Sequence, residues 1–236
     1  MFSRRLTKSI AIGATAIAIG GGAYGIVSAT ASTSSGTATT ATVPSETSGQ
    51  PVARSGGSNA RSGPAAGGSI GKVSSVSTSG FGLLTSAGEK VTVKETSSTT
   101  YEKGTKSASA SAVTKGKTAL VVGTTDSTTI TATQVIVQPA NSASKTSSKV
   151  IPFKPGAPST SKQVGQIPAN YQQGSGTIVS GTTANKATKA ALAAYPGGIV
   201  DRVVKLSNGE YEVHNIGVNW PHHIFVNQNF KVVGAN

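Results

Sequence analysis

The sequence predicts a mostly β protein with an α+β end: a small antiparallel β-barrel joined by a disordered linker to a module of one helix packed on an antiparallel sheet. Three observations carry this prediction. Between Ser69 and Val137, short β-rich runs recur at a spacing of about ten residues, with turn residues between them. Prolines at 139, 152, 155, 158 and 168, with four lysines and no acid, then mark residues 138–175 as a spacer. After Ala184 a helical period gives way, at Pro196-Gly197-Gly198, to alternating β-rich runs.

Taken in order, residues 1–31 have the layout of an export signal. Arg4, Arg5 and Lys8 precede the apolar run Ile10 to Ile19, and Ala29-Thr30-Ala31 offers a small-x-small cleavage site. The competing reading is an uncleaved anchor over residues 10–27, close to the ~20 residues a membrane helix needs, although five glycines lie in that stretch. Residues 32–68 are rich in Ser, Thr, Gly and Ala and too poor in large apolar side chains to offset the cost of ordering, so they read as a disordered stalk. The barrel, residues 69–137, takes strands at Ile70 to Val76, Gly80 to Leu84, Lys90 to Lys94, Thr100 to Glu102, Thr118 to Val122 and Thr129 to Val137. Turns are expected at Ser86-Ala87-Gly88 and at Gly123 to Ser127. The linker, 138–175, should hold the barrel and the last module apart as beads on a string.

The module over residues 176–236 is the best patterned part. Ala187, Ala190, Ala191 and Ala194 recur at i, i+3, i+4 and i+7, which places them on one helical face, with Thr183 as N-cap and Gly197-Gly198 as a terminator suited to positive φ. Ile199 to Leu206 and Tyr211 to Ile216 flank Ser207-Asn208-Gly209-Glu210, whose Asn-Gly pair signals a hairpin. Two shorter runs follow the Trp220-Pro221-His222 loop: Ile224 to Val226 and Phe230 to Val233.

Composition limits the function classes. Of 236 residues 36% are hydrophobic and 5% aromatic, too few for one large core, so the ordered parts must be small. There is no cysteine, which excludes a disulfide framework, a thiolate metal site and a lipid-modified N-terminal cysteine. The net charge is +13, or +10 without Arg4, Arg5 and Lys8, and its cations are mostly isolated lysines. Nucleic-acid binders concentrate charge on one face with aromatics interleaved, so nucleic acid is not the expected partner. A diffuse basic chain suits a polyanionic surface such as a cell wall or anionic lipid, and serves solubility equally well.

Two stretches resemble known families. Ala190 to Gly198, Val200 to Val203, Gly209 to His214, Ile224 to Asn227 and Phe230 to Gly234 are similar in order and type to the PepSY domain, first described in the propeptides of secreted thermolysin-like proteases. The resemblance implies a helix-plus-sheet binding or inhibitory module and not an enzyme; the acidic residue common in its late strand is replaced by Asn227. Gly71 to Val76, Gly80 to Thr85, Lys90 to Val93, Thr100-Tyr101 and Leu120 to Thr124 resemble an OB-like barrel domain of secreted bacterial proteins, which implies a fold and no particular activity.

No catalytic constellation is expected. Gly20, Gly22 and Gly25 match a dinucleotide-binding spacing but lie within the export signal. Gly67-Gly68-Ser69-Ile70-Gly71 matches a nucleophile elbow, which requires a strand before the serine and a helix after it; here stalk precedes strand. Glu210 and Glu212 could share a strand face, where an ion pair with Lys205 across the hairpin is the simple account. His214, His222 and His223 are the one cluster of chemical interest; adjacent histidines in a strand point to opposite faces, so at most two converge, and neither a metal nor another cofactor is expected. Binding candidates are Tyr211, His214, Trp220, His222 and His223, with the imidazoles partly solvated and Trp220 either capping a sheet edge or meeting a partner. The functional expectation is a secreted or cell-surface binding protein whose last module inhibits or regulates an extracellular peptidase or binds a peptide. The alternative is attachment of the barrel to an anionic cell-wall polymer, and a membrane enters only if the N-terminal segment stays uncleaved.

Overall fold

The computed structural model describes residues 63–139, 150–156 and 162–236. The export signal, nearly all of the stalk, and residues 140–149 and 157–161 of the linker lie outside the described residues. In chain order the strands are β1 (Ala65–Ser77), β2 (Gly80–Leu84), β3 (Lys90–Lys94), β4 (Thr100–Lys103), β5 (Lys106–Ala108), β6 (Thr118–Asp126), β7 (Thr129–Val137), β8 (Ile151–Pro152), β9 (Val164–Gly165) and β10 (Thr177–Ile178). Helix α1 (Gly181–Ala194) follows, then β11 (Ile199–Lys205), β12 (Tyr211–Ile216), β13 (Val218–Trp220), β14 (His223–Val226) and β15 (Val232–Ala235). The described residues are thus mostly β with one α-helix.

Five strands close a barrel. β1 pairs with β2 and β6, β2 with β3, β6 with β7, and the circuit closes through the parallel pair β3–β7. The period-2 pattern places Val73, Phe81, Leu83, Val91, Val93, Val121, Ile130 and Val135 inside, while Lys90, Thr92 and Lys94 face out. Two boundaries differ from expectation. β1 begins at Ala65, inside the expected stalk, because its small residues gain partners in β6 from Ala65 to Lys72. β6 runs on to Asp126 instead of turning at Gly123, where the register shifts between Val122 and Gly123. A Cβ at Gly123 would lie 2.1 Å from the Thr131 carbonyl oxygen, so this glycine serves close strand approach, and the turn falls at Ser127, with φ 53°.

The expected separation of barrel and module does not hold. β1 also pairs with β11, Gly68 opposite Val200 and Ser69 opposite Ile199, so one sheet runs through both parts. Their cores interleave: Ile199 packs among the barrel residues, and Ile70, Leu120 and Val122 of the barrel pack with the helix. Gly67 makes the junction possible, since a Cβ there would stand 2.0 Å from the Val200 oxygen, while Gly68 allows the close approach of β6, where a Cβ would stand 2.2 Å from the Val121 oxygen.

Helix α1 starts at Gly181 after Ser180 in N-cap position, so Thr183 lies in its first turn. Its buried face is Ala184, Ala187, Thr188, Ala191 and Leu192, rotated from the expected alanine stripe, with Ala190 and Ala194 only partly buried. Leu192 turns the helix because it is the one large apolar side chain available to the core. The following glycines do not take positive φ; Gly197 clears Val150, and Gly198 clears the Asn215 side chain and the Ile216 carbonyl. The Asn-Gly hairpin forms as expected, with Gly209 at φ 84° and Leu206 N–H bonded to the Glu210 carbonyl.

The C-terminal sheet is antiparallel in the order β11-β12-β14-β15-β9, with β10 beside β11. One face, with Val203, Val213 and Ile224, packs on α1, and the opposite face carries Val204, Leu206 and Phe225. The described part of the linker covers this second face. Residues 162–178 pair at one end with β15 and at the other with β11, and Ile167 and Tyr171 pack against Phe225 and its neighbours. Ile151-Pro152 pairs with β13. A segment read as a spacer is therefore a strap, because Ile167 and Tyr171 give it apolar contacts that its otherwise polar composition conceals.

Candidate functional site: an imidazole cluster beneath the strap

Alternation along β12 directs Tyr211 and Val213 to the helix and Glu212 and His214 to the strap. Asp201 and Arg202 interrupt the apolar run of β11 at a register shift between Val200 and Arg202. His223 opens β14 directly opposite His214, while His222 lies in the bend before that strand. The backbone N–H groups of both His222 and His223 bond to the Asn236 carbonyl, and the Trp220–Pro221 peptide just upstream is cis.

These elements converge on one buried site. His214 Nδ1 stands 2.6 Å from Asp201 Oδ1 and 3.1 Å from Arg202 Nη1; His223 Nδ1 stands 2.7 Å from Glu212 Oε1 and 3.0 Å from the Tyr171 hydroxyl. A carboxylate only accepts, so each Nδ1–H donates to its carboxylate, and the Arg202 guanidinium, itself only a donor, lies beside His214 Nδ1 without bonding to it. The three rings are mutual neighbours, with centroids 4.5 Å apart for His214–His222, 5.3 Å for His214–His223 and 5.2 Å for His222–His223. The expectation that at most two would converge is corrected: strand alternation does not apply to His222, which precedes β14.

Electrostatics follow from burial. Desolvation holds the His222 pKa down at about 4, helped by His214 and His223 and opposed by Asp201 and a hydrogen bond to the Val218 backbone. Burial, then the Glu212 charge, pushes Tyr171 above the ordinary tyrosine range, with Arg202 opposing. Arg202 Nε and Asn215 Oδ1 are buried without a hydrogen-bond partner among the described residues. No group of three or more His, Cys, Asp or Glu among them is arranged to hold a metal ion.

The candidates divide between the two faces of the sheet. Tyr211 stacks on Phe230 at 5.6 Å, and Trp220 sits edge-on to Tyr195 at 5.5 Å, 2% exposed, its indole N–H donating to the Lys162 carbonyl of the strap. Both are core residues, and His214 and His223 are buried too, which corrects the expectation of partly solvated imidazoles for these two, whereas His222 is only partly buried. Glu212 pairs with His223, not with Lys205, which lies opposite Tyr211; Glu210 is in the turn, bonded to Asn208. Ser69 is buried mid-strand, and its hydroxyl donates to the Gly198 carbonyl at 3.0 Å. Sequence reasoning missed Tyr171, Asp201 and Arg202. The signal for the last two was an ionisable pair inside an otherwise apolar strand, and for Tyr171 an aromatic residue in a supposed spacer.

Further clefts lie among the described residues, including one of about 350 Å³ lined by Ile70, Lys72, Leu84, Ser86, Thr118 and Pro196. One of about 600 Å³ separates strap residues Pro168 to Tyr171 from Lys205 to Asn208, and one of about 290 Å³ on the barrel is lined by Ser75, Ser77, Gly80, Gly82, Thr92 and Lys94. No helix among the described residues is long and apolar enough to cross a membrane. Against known proteins, the chain matches no family model, no curated protein and no solved structure.

Proposed function

We propose that the protein is a non-catalytic binding protein of the cell exterior, in which an OB-like barrel is fused to a PepSY-like module that holds extended peptide and so occupies or regulates an extracellular peptidase. The observation that carries this reading is the strap: the sheet of the module already pairs with two short strands of its own chain, β9 and β10, with Tyr171 anchored in the turns between them. Backbone pairing with a side-chain anchor is how sheets take up peptide segments in general. Both edges of the C-terminal sheet are taken, β11 by β1 and β10, and β15 by β9, so an incoming chain competes with the strap in cis.

The test uses the full-length chain and a secreted metallopeptidase of the same source. The protein should inhibit the peptidase, and Tyr171→Ala, which weakens the competing strap, should tighten inhibition roughly tenfold, the equivalent of one anchor contact. Absence of inhibition and of peptide binding by both proteins would sink this reading.

A second reading has its own support on the barrel. Cross-strand register places Lys72, Leu84 and Lys90 in one outer row and Ser77, Gly80 and Lys94 in another, with Ser75, Gly82 and Thr92 between. Lysines rimming a shallow cleft of serine, threonine and glycine suit an anionic wall polymer, and attachment through them should fade as salt shortens the Debye length toward ~3 Å at 1 M.

A further inference from the structure

The strap is fastened lightly for the area it covers. Each end rests on a two-residue pairing, Val164 and Ile178 are exposed, and the cleft of about 600 Å³ undercuts it. Between the ends, Tyr171 is its contact with the ionisable cluster, meeting His223 by its hydroxyl and Phe225 by its ring. Trp220 ties down Lys162 at the leading edge.

Beneath it, the charges facing the imidazoles come from every packed element: Asp201 and Arg202 from β11, Glu212 beside His214 from β12, His223 from β14, His222 from the preceding bend, and Tyr171 from the strap. With neutral imidazoles, two carboxylates face one guanidinium and the site carries a single negative charge. One proton neutralises it; a second, on a neighbouring ring about 5 Å away, makes the buried site cationic, a state that water must enter to stabilise.

We propose that residues 162–178 form an acid-released lid over the imidazole cluster: proton uptake by the cluster opens it, baring Val204, Leu206 and Phe225. The sign agrees with His222. Its pKa is lower in the closed state than the ordinary 6.5, so its contribution to closure is complete above 6.5 and is lost as pH falls toward about 4. The lid opens before the sheet does, because the sheet's other face is packed on α1 and its strands are paired over greater lengths. The proposal stands on the strap and the cluster alone, whatever the outer partner.

Trp220 is the only tryptophan, so it reports the lid directly. On the full-length chain, its emission should move to the red, reversibly, as pH falls from about 6.5 to about 4, while far-ultraviolet circular dichroism stays constant. Tyr171→Phe, which keeps the ring and loses the hydroxyl, should open at higher pH, and His222→Phe at lower pH by roughly one unit. Unchanged emission down to about pH 4, or a change only together with loss of circular dichroism, would overturn the lid. Since both outcomes are read on the wild-type chain, they do not depend on whether a variant folds. A lid that opens normally in a protein that binds no peptidase would leave the proposal intact and remove only the peptidase reading.

Discussion

Tyr101 shows how a single exposed-looking residue acquires a distinctive chemistry. It stands on β4 opposite Val135 of β7, and burial, then a hydrogen bond and a charge from Glu95, raise its pKa to about 12. The sign is that of an acid kept protonated: its contribution to stability is complete below pH 10, the ordinary tyrosine value, and disappears as pH rises from 10 toward 12. An alkaline absorbance titration should therefore resolve a phenol ionising near pH 12 that is lost in Tyr101→Phe, and Glu95→Gln should lower its midpoint. Residue-scale chemistry of this kind was only partly legible in the sequence. The three histidines stood out as a group, but their carboxylate partners Asp201 and Glu212 come from two strands whose register no local pattern states.

At the scale of elements, legibility followed the strength of the local period. β2, β3 and β7 were readable end to end because apolar and polar residues alternate and turns flank them. The helix was readable as a helix, but its buried face was misjudged by one step, since four alanines at i, i+3, i+4 and i+7 are weaker evidence of a core face than one leucine. Leu192 is fully buried against the sheet, so Leu192→Ala should cost about 2–5 kcal/mol in a denaturant titration, whereas Ala194→Ser, at a partly buried position, should cost well under 1 kcal/mol. Equal costs would mean the expected alanine stripe is the true face. The strap escaped notice for a different reason: glutamines and glycines make its composition polar and turn-rich, while two-residue strands such as β9 and β10 carry no periodicity at all.

For the whole molecule, a beads-on-a-string arrangement and the observed one predict different unfolding. Two beads would melt independently, each with its own transition. Here β1 belongs to the barrel and to the sheet that continues into β11, and Ile70, Leu120 and Val122 pack with Ala187, Ala191 and Leu192 in one cluster, so neither part can lose its core without exposing the other's. Calorimetry should show one cooperative transition, with van't Hoff and calorimetric enthalpies equal. The junction depends on the absence of a side chain at Gly67, where any Cβ would press into the Val200 carbonyl and the Thr125 hydroxyl. Gly67→Val should pry β1 from β11 while leaving most barrel pairings of β1 and β2 intact, since those lie at Lys72 to Ser77. Its expected signature is a split into two transitions, the lower one accompanied by the Trp220 emission change, because Trp220 packs in the cluster that the junction closes. A single transition merely shifted to lower temperature would instead mean that the two parts are coupled chiefly through α1, which packs on β1 and β11 alike.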